Sequence, residues 1–241
     1  MTVTRREFVR FDVAGDLAHF RRPYAITTAL TFPIPPRTAL CGLVGALLGL
    51  PKNESLRSLN DADAVFGLQM LGQLRTGHVS LNLLDTKGSP YFRPKTENPH
   101  TIMRYEVVRE PRYRIWFSHA QLSSQLHQLL LEQTVHFTPC LGLAWMICWM
   151  AGEPSLVEAE KRDAEASTLP VATLARADTI VGDIEWEEQS IYQRIRMPAE
   201  MLPDRRVTRY QEYIIETTGG SVRARLSTRW QFSDGTAISA M

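Results

Sequence analysis

Pro35 and Pro36 stand directly before an uncharged run, Thr38–Gly49. Proline fixes its own φ and has no backbone N–H to donate. The pair therefore ends whatever precedes it and favours a helix start just beyond. The run that follows reads as a helix, with Gly42, Gly45 and Gly49 near one stripe. Each glycine costs about 1 kcal/mol of helix stability relative to alanine. A helix carrying these glycines must gain something from the missing side chains. Close approach to a sheet or to another backbone is the usual gain.

Strands are expected on either side of it. In Glu7–Ala14, Val9, Phe11 and Val13 alternate with Arg10 and Asp12, the period of a strand. Gly15–Pro36 reads as a loop rich in arginine, aromatic residues and proline. Val79–Leu84 reads as a second strand with Val79, Leu81 and Leu83 on one face. After a polar stretch, Asp85–Thr101, come strands at Ile102–Arg109 and Arg112–Phe117, separated by Pro111. Ser118 and Gln121 form a capping-box pattern. They open a helix whose apolar stripe is Leu122, Leu126, Leu129 and Leu130. Leu141–Met150 is apolar enough for a buried strand, with a short helix as the alternative. The order strand, helix, strand, strand, helix, strand is the split βαβ order of ferredoxin-like and RNA-recognition folds. The expectation is thus an α+β chain. A ferredoxin-like (RNA-recognition-motif-like) βαββαβ domain would span 1–150, with an excursion at Asp85–Arg109 between its central strands. A smaller β-rich part would span 151–241. There, acidic Glu153–Glu165 reads as a linker or exposed helix. Thr208–Thr217 and Ser221–Ser227 flank the turn dipeptide Gly219-Gly220, the pattern of a hairpin. Arg223 and Arg225 would share one face of its second arm.

Composition excludes several classes. With 241 residues, 44% apolar and 22% charged, the chain can bury a core without disulfides or metals, and whole-chain disorder is not expected. The longest apolar runs, Ala39–Leu50 and Pro139–Ala151, fall short of the roughly 20 residues that span a bilayer. The N-terminus lacks the apolar core of a signal peptide, so a cytoplasmic location is expected. Cys41, Cys140 and Cys148 form no C-x-x-C pair and read as buried free thiols. Charge is segregated along the chain. Residues 1–117 hold 16 Lys and Arg against 10 Asp and Glu, residues 118–204 hold 5 against 13, and residues 205–241 hold 6 against 3. A basic front and tail around an acidic middle suit one surface for a polyanion and another for a protein, unless both are only solvated faces.

Three segments suit an RNA ligand. In His19-Phe20-Arg21-Arg22-Pro23-Tyr24, guanidiniums that pair with phosphate lie beside rings that stack on unpaired bases. Arg37 and Thr38 fall at a helix start, where open amides attract anions; alternatively Thr38 caps the helix and Arg37 is solvated. Lys87, Arg93, Lys95 and Arg104 line the excursion, with Tyr91 and Phe92 near its tip; a surface loop is the plainer reading. His119 and His127 read as surface helix residues. The histidines are scattered and no metal-ligating pattern occurs, so neither a metal nor another cofactor is expected. His19, Tyr24 and Lys95 are the groups available for metal-independent RNA cleavage.

Gly15–Arg21, followed by Pro35-Pro36-Arg37-Thr38-Ala39-Leu40-Cys41-Gly42-Leu43-Val44-Gly45-Ala46-Leu47-Leu48-Gly49, resembles the N-terminal signature of the fifth CRISPR-associated (Cas) protein family, of the RAMP superfamily. Leu81–Lys87, Pro111–Ile115 and Phe137–Leu143 are similar to its type I-B branch. The resemblance covers roughly residues 5–150. It implies a ferredoxin-like palm with a β-thumb at about 85–109 and a variable C-terminal part. It also implies a subunit of Cascade, the RNA-guided surveillance complex, that holds the 5′ handle of the CRISPR RNA. Such a subunit caps the filament of backbone subunits beside the large subunit and meets target DNA through the complex. By position, Arg37 and Thr38 would face the handle, His19–Tyr24 would lie along the same groove, and Lys87–Arg104 would be the thumb. The type I-C branch cuts its own precursor RNA, whereas type I-B systems leave that cut to a separate endoribonuclease. The resemblance therefore implies a binding subunit without catalysis, with the endoribonuclease as the alternative.

Overall fold

The computed structural model describes residues 4–23, 28–60, 63–84, 100–163 and 168–241. In chain order its first half comprises β1 (Arg5–Gly15), the short strands β2 (Leu17–Ala18), β3 (Phe20–Arg21) and β4 (Thr31–Phe32), α1 (Arg37–Leu48), α2 (Lys52–Leu59), β5 (Val65–Met70), β6 (Thr76–Leu84), β7 (His100–Arg109), β8 (Arg112–Ser118), α3 (Ser123–Leu131) and β9 (Cys148–Met150). The second half comprises β10 (Ser155–Asp163), β11 (Leu169–Ala172), β12 (Leu174–Arg176), β13 (Ile180–Glu185), β14 (Tyr192–Met201), β15 (Val207–Glu216), β16 (Ser221–Leu226), β17 (Thr228–Phe232) and β18 (Ala237–Ile238). The described chain is mostly β.

The main sheet runs β18-β17-β10-β1-β8-β5, and β9 also pairs with β1. β1 is buried on both faces. Val9, Phe11 and Val13 join a core with Leu40, Val44 and Leu47 of α1 and Leu126 and Leu130 of α3. Phe8 points the other way, into a second core with Trp116, Trp230 and Phe232. The alternation read from the sequence is therefore real, but both of its phases are used. The sheet also curls. Ile238 of β18 lies so close to β5 that a Cβ on Gly67 would fall 2.3 Å from its Cδ1, and the Met241 amide donates to Phe66 O at 2.9 Å.

Several expectations change. The central strand beside β8 is β5, not Val79–Leu84. The latter belongs to β6, which pairs with β7 in a separate sheet with β2. A strand read from alternation alone does not reveal which sheet it joins. The described part of acidic Glu153–Glu165, residues 153–163, is neither linker nor helix. Its core is β10, paired with β1, where Arg5 faces Glu160. The expected division near residue 150 thus falls within one sheet, because β10, β17 and β18 extend it. Residues 208–227 do not form a hairpin. β15 pairs with β12 and β14, and β16 pairs with β11 and β13. Gly219 (φ 102°) turns the chain from one sheet to the other. Only the end of Leu141–Met150 is a strand; Met146 and Cys148 point inward while Trp145, Ile147 and Trp149 face solvent.

Helix α1 begins at Arg37, as the two prolines require, and ends on Gly49 in the left-handed region at φ 74°. Gly45 is the point of close approach. A Cβ there would lie 2.5 Å from Ser55 Cβ, so the neighbour is α2 and not a sheet. Helix α3 starts at Ser123, later than its capping-box pattern suggests. His119 replaces that box. Its Nδ1 accepts from the amides of Gln121 and Leu122 at 3.1 and 3.3 Å, and its own amide donates to Ser123 Oγ at 2.8 Å. His119 is accordingly buried and not a surface helix residue. Cys41 and Cys148 are buried free thiols, and Cys140 is half-buried. None of the described helices is long and apolar enough to cross a membrane.

Candidate nucleic-acid interface

Arg37 does not face outward from the helix start. It is 4% exposed. Its guanidinium donates to Ala64 O at 3.0 Å, Ala199 O at 3.3 Å and Asn60 Oδ1 at 3.4 Å, and its Cζ lies 5.6 Å from the centre of the Phe66 ring. Asn60 in turn donates through Nδ2 to Met201 O at 2.6 Å. The reason is tertiary. β14 packs over the start of α1, so carbonyls from β14 and from the turn before β5 converge there and need donors. A guanidinium supplies five in one plane. The anion site expected at Arg37 is therefore filled by the protein itself. Thr38 is half-buried within the first turn, and Pro36 is the N-cap with no side-chain cap bond.

His19 and Phe20 are also internal, at 1% and 4% exposure. His19 Nδ1 lies 2.7 Å from Glu106 O. A carbonyl only accepts, so Nδ1 carries the proton. Burial, with a smaller push from nearby Arg21, holds the imidazole below its ordinary value of 6.5, so it is neutral at pH 7. Gly142 passes so close that a Cβ there would meet His19 O at 1.9 Å. This packing withdraws His19 from any external ligand. Arg21 remains exposed, since β3 alternates Phe20 inward and Arg21 outward. Arg104 is exposed on β7, opposite Ser80. Tyr24, Lys87, Arg93 and Lys95, with Tyr91 and Phe92, lie outside the described residues.

Arg22 opens onto a cleft of about 520 Å³ lined by Pro23 and Phe32 on one side and by Arg194, Ile195, Arg196 and Tyr210 on the other. Its Nε donates to Thr31 O at 2.7 Å, which fixes the stem, and its Cζ sits 5.5 Å from the centre of the Phe32 ring. Opposite, β14 and β15 pair with Arg196 facing Glu212 and Pro198 facing Tyr210. The Arg196 guanidinium lies over Tyr210 at 5.0 Å, and Arg194 Nε donates to Glu212 at 3.0 Å. Among the described lining residues three are arginines and none is acidic, and two of the guanidiniums are backed by aromatic rings. Such a surface binds a planar, negatively charged ligand by charge and by stacking together.

A family model described as CRISPR-associated protein (Cas_Cas5) matches residues 8–115. Over these residues the chain is similar to the Cas5 family. No curated protein sequence matches the chain. Among solved structures, a CRISPR protein from Archaeoglobus fulgidus is similar with a TM-score of 0.58, over 96% of this chain and 98% of that one, at 11% identity. A chain of a CRISPR RNA-guided surveillance complex is similar with a TM-score of 0.51, over 90% and 91%, at 12% identity. At such identities the fold is what is shared.

The segment that the family model matches supplies one wall of the cleft, Arg22, Pro23 and Phe32. The other wall comes from β14 and β15, and sequence reasoning missed it. A faint signal is present: Arg194 and Arg196 are two apart beside Tyr192, a strand period with cations on one face. What the sequence lacks is any sign that this strand lies over α1 and meets Arg22. Among the described residues no group of three or more His, Cys, Asp or Glu side chains is placed to hold a metal ion.

Proposed function

We propose that this chain is the non-catalytic subunit of a type I CRISPR surveillance complex that holds the 5′ handle of the CRISPR RNA. In that role it caps one end of the backbone filament beside the large subunit and meets target DNA only through the complex. The observation that carries the reading is the cationic, aromatic-backed cleft between the segment that the family model matches and the β14–β15 pair. Two further features support it. The order β10-β1-β8-β5, with α1 and α3 between its strands, supports the reading of a ferredoxin-like βαββαβ palm, whose strand order is 4-1-3-2. The β6–β7 pair projects from this palm between β5 and β8, as a thumb would, with Arg104 on it. Of the three groups available to the alternative, metal-independent cleavage of precursor RNA, His19 is buried and tied to Glu106 O, and Tyr24 and Lys95 lie outside the described residues.

The test uses the purified full chain and a single-stranded RNA that carries the repeat-derived handle. Binding is expected to weaken with salt at a slope of roughly −0.7 per neutralised phosphate, near −2 if the three cleft arginines act together. The RNA should stay intact in EDTA. Absence of binding at low salt refutes the reading, and a discrete cleavage product in EDTA favours the endoribonuclease.

A further inference from the structure

Between Glu132 and Glu153 the chain runs through 20 residues without one Asp, Glu, Lys or Arg. Such a stretch belongs in a core, yet Val135, Phe137, Trp145, Ile147 and Trp149 face water. Local geometry decides this. Leu141 N donates to Met146 O at 2.8 Å and Cys148 N donates to Pro139 O at 3.0 Å, and these bonds flank the bridge between Cys140 and Ile147. Successive side chains alternate, so Cys148 turns inward while Ile147 and Trp149 share the outer face. β9 is itself paired with β1. The outer face is therefore part of the main sheet and is ordered before anything binds, which lowers the entropy cost of docking.

The three aromatic side chains are 46–55% exposed, which leaves on the order of 300 Å² of them in water. Ile147 and Val135 bring the apolar surface to on the order of 400 Å², the size at which a patch marks a docking site. One partner in a standard interface contributes about 800 Å², and about 65% of a homodimer interface is apolar. The segment thus supplies most of the apolar share that a stable dimer needs. Its chemistry selects the occupant. A polyanion or a lipid surface calls for cations, and the segment has none. The charges that border it are of both signs: Glu132 and Glu153 at its ends, and Arg112, which lies beyond Ala14 from Trp149. Such a surface meets its own image without like-charge repulsion, and it lacks the charges by which an interface selects a different partner. We propose that this face joins two copies of the chain in a symmetric homodimer, with Ile147 and Trp149 at the centre and Trp145 and Phe137 around them. The inference stands apart from the RNA-holding reading, since none of these residues lines the arginine cleft.

Sedimentation velocity of the purified full chain, under reducing conditions and without RNA, tests this. Across the micromolar range the wild type should pass from one copy to two and stop there. Raising the salt from low to molar should leave that dimer intact, because apolar burial is not screened. Ile147→Glu and Trp149→Glu should each raise the dissociation constant about a hundredfold, since a central apolar anchor is replaced twice in every dimer. Both side chains are exposed, so each variant should keep the thermal midpoint that the wild type shows when dilute and monomeric. Trp186→Glu changes an equally exposed tryptophan elsewhere and should leave the dimer unchanged. A wild type that stays a single copy throughout overturns the proposal and gives the face to another protein or to none. So does a dimer that survives both glutamate variants, and so does association that grows past two copies. None of these outcomes bears on RNA binding, which is measured separately.

Discussion

Arg37 and Ala199 are 162 positions apart, yet the guanidinium of the first donates to the carbonyl of the second at 3.3 Å. The bond joins the start of α1 to β14, which carries the arginines of the cleft. Arg37 thus acts on the site as a fastener and not as a ligand.

Arg37→Ala is expected to destabilise the protein. It strands buried acceptors at Ala64 and Ala199, each worth about 1–3 kcal/mol when left unpaired. Urea denaturation should show a loss of about 2–4 kcal/mol, with RNA affinity per folded molecule falling only as far as β14 shifts. A variant as stable as wild type, with RNA binding abolished, would return Arg37 to the role of a direct contact.

The same substitution at two glycines of α1 should have opposite signs. A Cβ at Gly42 meets nothing within 4 Å, so Gly42→Ala should stabilise by about 0.5–1 kcal/mol through helix propensity. At Gly45 the new methyl would collide with Ser55. Overpacking of this kind costs about 1–3 kcal/mol, enough to exceed the propensity gain. Thermal midpoints moving up for Gly42→Ala and down for Gly45→Ala would confirm that α2 is what α1 approaches.

His19 should give the protein a pH-dependent weakness just below neutrality. Burial lowers its folded pKa from the ordinary 6.5. Above 6.5 the imidazole is neutral in both states. As pH falls below 6.5 the unfolded chain takes up a proton that the folded chain resists, so stability drops until the folded pKa is passed. The limit for one proton is about 1.4 kcal/mol per pH unit. His19→Asn retains an N–H donor for Glu106 O without titrating. Denaturant midpoints measured between pH 5 and 7 should be flatter for this variant than for wild type.

Glu216 should act in the opposite direction of charge. Burial alone would raise its carboxyl, but the Thr218 hydroxyl and the amides of Thr218, Gly219 and Gly220 hold it below the ordinary carboxylate value of 4.5. Its contribution is therefore present above pH 4.5 and lost as pH falls through the lower folded pKa. Glu216→Gln should cost about 1–3 kcal/mol at pH 7, since the amide replaces one acceptor by a donor facing donors. The variant should also show less acid sensitivity below pH 4.5; equal stability at neutral pH would mean that the corner between β15 and β16 does not depend on this carboxylate.

Local chemistry made much of the fold legible. Two prolines set the start of α1, the alternation in Glu7–Ala14 marked β1, and the leucine spacing marked α3. β5 and α2 were not visible, because short segments such as Val65–Met70 carry too few periods to stand out. β10 was hidden by its charge: Glu158, Glu160 and Lys161 line a strand whose pairing with β1 and β17 outweighs the polar look of its side chains. The wrong hairpin at Gly219-Gly220 has a similar cause, since a turn dipeptide specifies a reversal but not whether the two arms enter the same sheet.

For the candidate site the division is sharper. The amino-acid order alone determined that arginines and aromatic rings cluster near residues 19–24 and 37, because composition and spacing are written in the chain. Which of these groups reach solvent was decided only by packing. β14 lies over α1 and draws Arg37 inward, Gly142 closes over His19, and the same β14 brings Arg194 and Arg196 to Arg22 from more than 170 positions away. Exposure and long-range adjacency arise from how sheets stack, and no local pattern of side chains encodes them.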